Sequence, residues 1–102
     1  MKKREAFRPF DAAEYLKTDE DMAHYLDAII EESEGDSRMI AMALGDIARA
    51  KGMTEIAKET GLARENLYKA LSAEGNPEFS TVMKVIAALG IKLHAAPAVQ
   101  PK

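Results

Sequence analysis

Met53-Thr-Glu-Ile-Ala-Lys-Glu-Thr-Gly-Leu-Ala-Arg-Glu-Asn-Leu-Tyr-Lys-Ala-Leu71 is the stretch on which the reading of this chain turns. Its apolar positions Ile56, Leu62, Leu67 and Ala70 are spaced for two short helices that share one core. Two such helices joined by a tight turn cross steeply, and each contact point then carries its own steric demand. The crossing needs a small side chain on the first helix, which Ala57 supplies. The turn needs a residue tolerant of positive φ, and Gly61 follows four residues later. These are the demands of a helix-turn-helix. The spacing predicts a first helix over residues 54–60 and a second from Arg64 to about Ala73.

The second helix has an outward face that can be read directly. Along the helix of residues 64–72 and at Ala63 just before it, Ala63, Arg64, Glu65, Tyr68, Lys69 and Ser72 point away from Leu67 and Ala70. In a DNA groove Arg64 reaches guanine or a phosphate, while Lys69, Tyr68 and Ser72 are phosphate donors. Thr54 opens the supporting helix, where its side chain and backbone N–H both face a phosphate. Asn66 can pair with adenine from the flank of the helix. These eight residues are the candidate DNA-binding set. The competing reading is a helix pair used only for packing or protein contacts.

Outward from this centre the chain is helical throughout. Thr18 and Asp21 form a capping box ahead of Met22, Tyr25, Leu26, Ile29 and Ile30, one apolar stripe on an amphipathic helix that Gly35 ends. Asp11 caps a short turn before it, through Leu16. Asp36 or Ser37 opens a helix with Ile40, Ala43, Leu44, Ile47 and Ala48 inward, and Gly52 is placed to close it in the left-handed conformation. After the turn-forming Glu74-Gly-Asn-Pro-Glu78, Ser80 is expected to cap a last helix with Val82, Val85, Ile86 and Leu89 inside and Gly90 as terminator. Ile91–His94 alternates like a strand. The expected fold is mainly α, a small bundle of about five helices with a short β-pairing between Ile91–His94 and Ala6–Phe10, within a chain or across a two-fold axis. The segments are an extended arm (1–10), an acidic helical segment (11–36), the helix-turn-helix body (37–94) and a disordered tail (95–102).

Composition supports this. Of the 102 residues eighteen are Ala and only three are Val, which favours close-packed helices over sheets. Charge is segregated behind the net −3: residues 11–36 hold ten carboxylates against Lys17 alone, and both flanking stretches are net positive. Such a run is either a solvated helix face or an arm for a basic partner. With no Cys, disulfides and thiolate chemistry are excluded. His24 and His94 are far apart, no acid–histidine cluster has ligand spacing, and no phosphate-loop or nucleophile pattern occurs. No enzyme, metal site or cofactor is expected. The missing apolar run points to a cytoplasmic protein that does not enter the membrane.

Three separated motifs then carry a resemblance. Gly52-Met-Thr-Glu-Ile-Ala-Lys-Glu-Thr-Gly-Leu62, Asn66-Leu-Tyr-Lys-Ala-Leu-Ser72 and Gly75-Asn-Pro-Glu-Phe-Ser-Thr-Val82 resemble the bacterial addiction module antidote family. Phe10-Asp-Ala-Ala-Glu-Tyr-Leu16 and Leu44-Gly-Asp-Ile-Ala-Arg49 extend the likeness over residues 10–94. The resemblance implies a small antitoxin with a Cro/repressor-like DNA-binding domain. It also implies a RelE-like toxin partner, an RNase of the mRNA-interferase type, and repression of the shared operon through double-stranded operator DNA. Thr54 lies only two residues before Ile56, so the supporting helix starts later than in the wider repressor superfamily and its phosphate contact is put in question. A homodimer is expected, because one motif of this size offers few base contacts; without terminal pairing it would be built from helix faces such as that of Tyr25 and Ile29. The alternative function is a helix-turn-helix-like protein-interaction module without DNA binding.

Overall fold

The structure, a computed structural model, describes residues 12–98. A single 3-10 turn, Ala12–Tyr15, leads into five α-helices: α1 (Asp19–Glu32), α2 (Ser37–Lys51), α3 (Met53–Thr60), α4 (Arg64–Ala70) and α5 (Phe79–Ala88). No strand occurs among the described residues. The chain is therefore the small helical bundle that its alanine-rich composition implies.

Local chemistry explains where the first helices start. The Thr18 hydroxyl accepts the Asp21 N–H at 3.0 Å, and the Asp21 carboxylate accepts the N–H groups of Lys17 and Thr18 at 3.0 and 3.1 Å. The Lys17 N–H first, and the Thr18 N–H next, hold the Asp21 carboxyl below the usual carboxylate range, because both donors favour its ionised form. The chain leaves α1 at Ser33, and Glu34 and Gly35 take positive φ values of 56° and 80°. Asp36 then caps α2 by accepting the N–H groups of Arg38 and Met39 at 2.9 and 3.2 Å.

α2 is the hub of the bundle, packed against the 3-10 turn and against each of the other four helices. Ala41, Ala43, Gly45 and Ala48 are buried along it, so backbones approach closely, while Leu44 and Ile47 fill the space between. One cluster of buried side chains joins Leu16, Met22 and Leu26 to Leu44, Ile47, Ile56, Leu67, Val85, Ile86 and Leu89. The acidic segment and the rest of the bundle thus share a single core. Tyr25, Ile29 and Ile30 lie half-buried against it.

Several boundaries differ from the sequence expectation. Gly52 has φ 119° and ψ 105°, outside the left-handed well, and serves as both the end of α2 and the start of α3, so α3 begins at Met53. α4 stops at Ala70 instead of reaching Ala73; the chain turns at Leu71, and Gly75 then lies against the carbonyls of Lys69 and Ala70. Glu78, not Ser80, stands at the start of α5; Pro77 ends the loop, and the Val82 N–H already reaches the Glu78 carbonyl at 3.0 Å. Ile91–His94 is not a strand. The Ile91 N–H returns to the Ile86 carbonyl at 3.2 Å and its side chain packs half-buried on the core, so the segment begins as the close of α5. An extended segment needs a ladder partner to persist, and the expected partner Ala6–Phe10 lies outside the described residues. So do the whole arm 1–10, Asp11 and residues 99–102 of the tail.

Candidate nucleic-acid interface

α3 and α4 are joined by Gly61, Leu62 and Ala63. Gly61 has φ 75° and ψ 15°, the left-handed conformation its position calls for. Its N–H and that of Leu62 both return to the Ala57 carbonyl, at 2.9 and 3.2 Å, and the Thr60 hydroxyl donates to the Ile56 carbonyl at 2.8 Å. The Ile56 and Ala57 carbonyls in the last turns of α3 are thereby satisfied. Ala63 turns the chain into α4 with an extended backbone (φ −70°, ψ 145°), and its carbonyl accepts the Leu67 N–H at 3.0 Å. Ile56 and Leu67 are buried, while Ala57 and Leu62 pack half-buried against the same core. Ile56, Leu62 and Leu67 therefore face the core as their spacing requires, whereas Ala70 stands outside the cluster and Leu71 is buried in it instead.

Two supports behind this helix pair were missed in the sequence. A methyl group at Gly45 would lie 2.5 Å from the Leu71 carbonyl oxygen, so α2 meets the end of α4 at a point where only glycine fits. The run of small residues in α2 signals a close approach but does not name the partner helix. The second support is Asp46, a buried carboxylate on α2. It accepts the Tyr25 hydroxyl of α1 at 2.6 Å on one oxygen and Arg49 Nη2 at 2.6 Å on the other. At the surface, Lys51 Nζ lies 3.3 Å from Asp19, a further link between α2 and α1.

Outward lie the candidate contacts. Ala63, Arg64, Glu65, Asn66, Tyr68 and Lys69 are all exposed on α4 and its cap. The Arg64 guanidinium sits 5.8 Å from the centre of the Tyr68 ring one turn on, a cation–π distance that limits its freedom. Thr54 is exposed in the first turn of α3, where no side chain caps the helix. Ser72 stands apart: it lies past the end of α4, half-buried, with its hydroxyl donating to the Lys69 carbonyl at 2.8 Å. Across residues 53–70, Lys58, Arg64 and Lys69 are matched by Glu55, Glu59 and Glu65, so this stretch carries no net charge. On α1, Asp27, Glu31 and Glu32 are exposed. Among the described residues no cluster of three or more His, Cys, Asp or Glu could hold a metal ion, and no helix is long and apolar enough to cross a membrane.

The family described as "probable addiction module antidote protein" matches residues 6–97. An uncharacterised protein of Haemophilus influenzae (strain Rd) is 49% identical over 90 residues, covering 88% of this chain and 91% of that protein. No solved structure matches the chain. With nearly its whole length covered by that family, the chain belongs to the addiction module antidotes.

Proposed function

We propose that this antidote is the antitoxin of a type II toxin–antitoxin module, that it binds double-stranded operator DNA as a cytoplasmic autorepressor, and that it neutralises a RelE-like toxin. In this reading it works as a homodimer, with α3 supporting and α4 entering the major groove. The observation that carries the reading is the outer face of α4: six polar or small residues are exposed together while Leu67 anchors the helix from behind. Arg64, held over Tyr68, reads a guanine edge, and Lys69 and Thr54 meet phosphates. Ser72 reaches DNA only by leaving the Lys69 carbonyl. The exposed carboxylates of α1 give the toxin, taken as a basic protein, a surface of opposite charge.

The balanced charge of residues 53–70 favours a second reading, a protein-interaction module that has no use for DNA. Salt separates the two. Each phosphate contact releases counterions, so DNA binding must weaken steeply as salt rises, whereas an interaction module has no such slope. The test is titration of a duplex from the chain's own promoter region at several salt concentrations. Arg64→Ala is expected to cost ~1–3 kcal/mol and relax base preference, while Lys69→Ala weakens all duplexes alike. Wild-type affinity in both variants would refute the assignment of α4 as the reading helix.

A further inference from the structure

The first turns of α2 and α5, with the loop between α4 and α5, leave an open groove of about 280 Å³. Its lining is mostly apolar: Ile40 and Leu44 from α2, Pro77 from the loop, and Phe79 and Val82 from α5. Phe79, on its rim, is 77% exposed, the most exposed large hydrophobic side chain among the described residues. Met39, beside Ile40 in the chain, and Met83, one turn beyond Phe79, are exposed as well. We propose that this face is covered by a second copy of the chain around a two-fold axis, with each Phe79 seated in the other protomer's groove. The inference rests on the homodimeric reading above and names the surface that builds it.

Two observations select a second copy over an unrelated partner. One face carries both the projecting ring and the cavity, and a two-fold axis uses both at once, since the same patch meets itself. The charges beside the apolar residues are also of both signs. Asp36, Glu74 and Glu78 lie along the loops that border the groove, Arg38 and Lys84 flank Met39 and Met83, and all five are exposed. Such a rim can meet its own copy acid against base. The face of Tyr25 and Ile29, by contrast, is already turned to the core, and the exposed side of α1 bears Asp27, Glu31 and Glu32, which would repel their own copies.

The test uses the full chain. Sedimentation across a concentration series should show the wild-type dimer, and Phe79→Glu should raise its dissociation constant roughly 30-fold or more, as at a central contact residue, with unchanged helical circular dichroism. Because the chain has no cysteine, single cysteines report position without ambiguity. Met83→Cys should cross-link between protomers with a flexible bismaleimide, His24→Cys should not, and adding Phe79→Glu should abolish the Met83 cross-link. A wild-type dimer that withstands Phe79→Glu, or that cross-links at His24 and not at Met83, overturns this surface while leaving the dimer standing. A wild-type chain that is monomeric at every concentration overturns the dimeric reading itself, and this inference with it.

Discussion

At the scale of the residue, Gly45 and Gly61 would each resist a methyl group for opposite reasons. Gly45 sits in a helix, where Ala is the better residue by ~1 kcal/mol, yet the added carbon would press on the Leu71 carbonyl oxygen. A backbone oxygen cannot rotate away, so overpacking of ~1–3 kcal/mol should prevail. At Gly61 the added carbon meets open space, and only the backbone resists, because φ is 75°; the cost is ~1–2 kcal/mol. Thermal melts of Gly45→Ala and Gly61→Ala should both fall below wild type. A Gly45→Ala melt at or above wild type would mean that α2 and α4 do not touch there.

At the scale of the element, α1 depends on the ionised form of Asp21. The carboxylate accepts two N–H groups at the helix start, and its pKa is lowered in the folded chain relative to the unfolded one. A group with a depressed folded pKa contributes stability above its unfolded pKa and loses it as pH falls through the folded value. The advantage of wild type over Asp21→Asn should therefore be full at neutral pH and vanish in acid, below the ordinary carboxylate range. Paired melts across that window measure it. A difference independent of pH would show that the cap works by shape alone. The α3–α4 turn is of another kind: it closes through backbone bonds to the Ala57 carbonyl and carries no titrating group, so its geometry should persist across the same range.

At the scale of the whole molecule, the acidic segment is part of the fold as well as a surface. Leu16, Met22 and Leu26 are buried in the same cluster as Leu44, Leu67 and Leu89. Burying each is worth ~1.5–3 kcal/mol, which together rivals the ~5–15 kcal/mol of net stability a whole domain has. A fragment of residues 37–102 should consequently lose its cooperative thermal transition, or melt far below the full chain. A fragment that melts like the full chain would make the acidic helix an appendage to an independent body. The same packing places the proposed toxin-facing carboxylates of α1 and the proposed DNA-facing side of α4 on one continuous core.

Much of what neighbours within a turn govern was legible in the sequence, though not the conformation of Gly52 or the start of α5, where Glu78 stands in place of the expected Ser80. The Thr18–Asp21 capping box, the left-handed Gly61 and the inward faces of Leu26, Leu44 and Leu67 follow from spacing and side-chain chemistry alone, because the atoms involved lie three or four residues apart; the start of α2 was narrowed to Asp36 or Ser37, and Asp36 is the cap. Tertiary structure decided what depends on distant segments. Gly45 was a helical glycine like any other until Leu71, twenty-six residues away, was seen against it. Asp46 is buried because Tyr25, twenty-one residues away on α1, donates to it while Arg49 pairs with its other oxygen. Ile91–His94 alternates well enough for a strand, but a ladder needs a second segment to bond with, and periodicity in one segment cannot supply it.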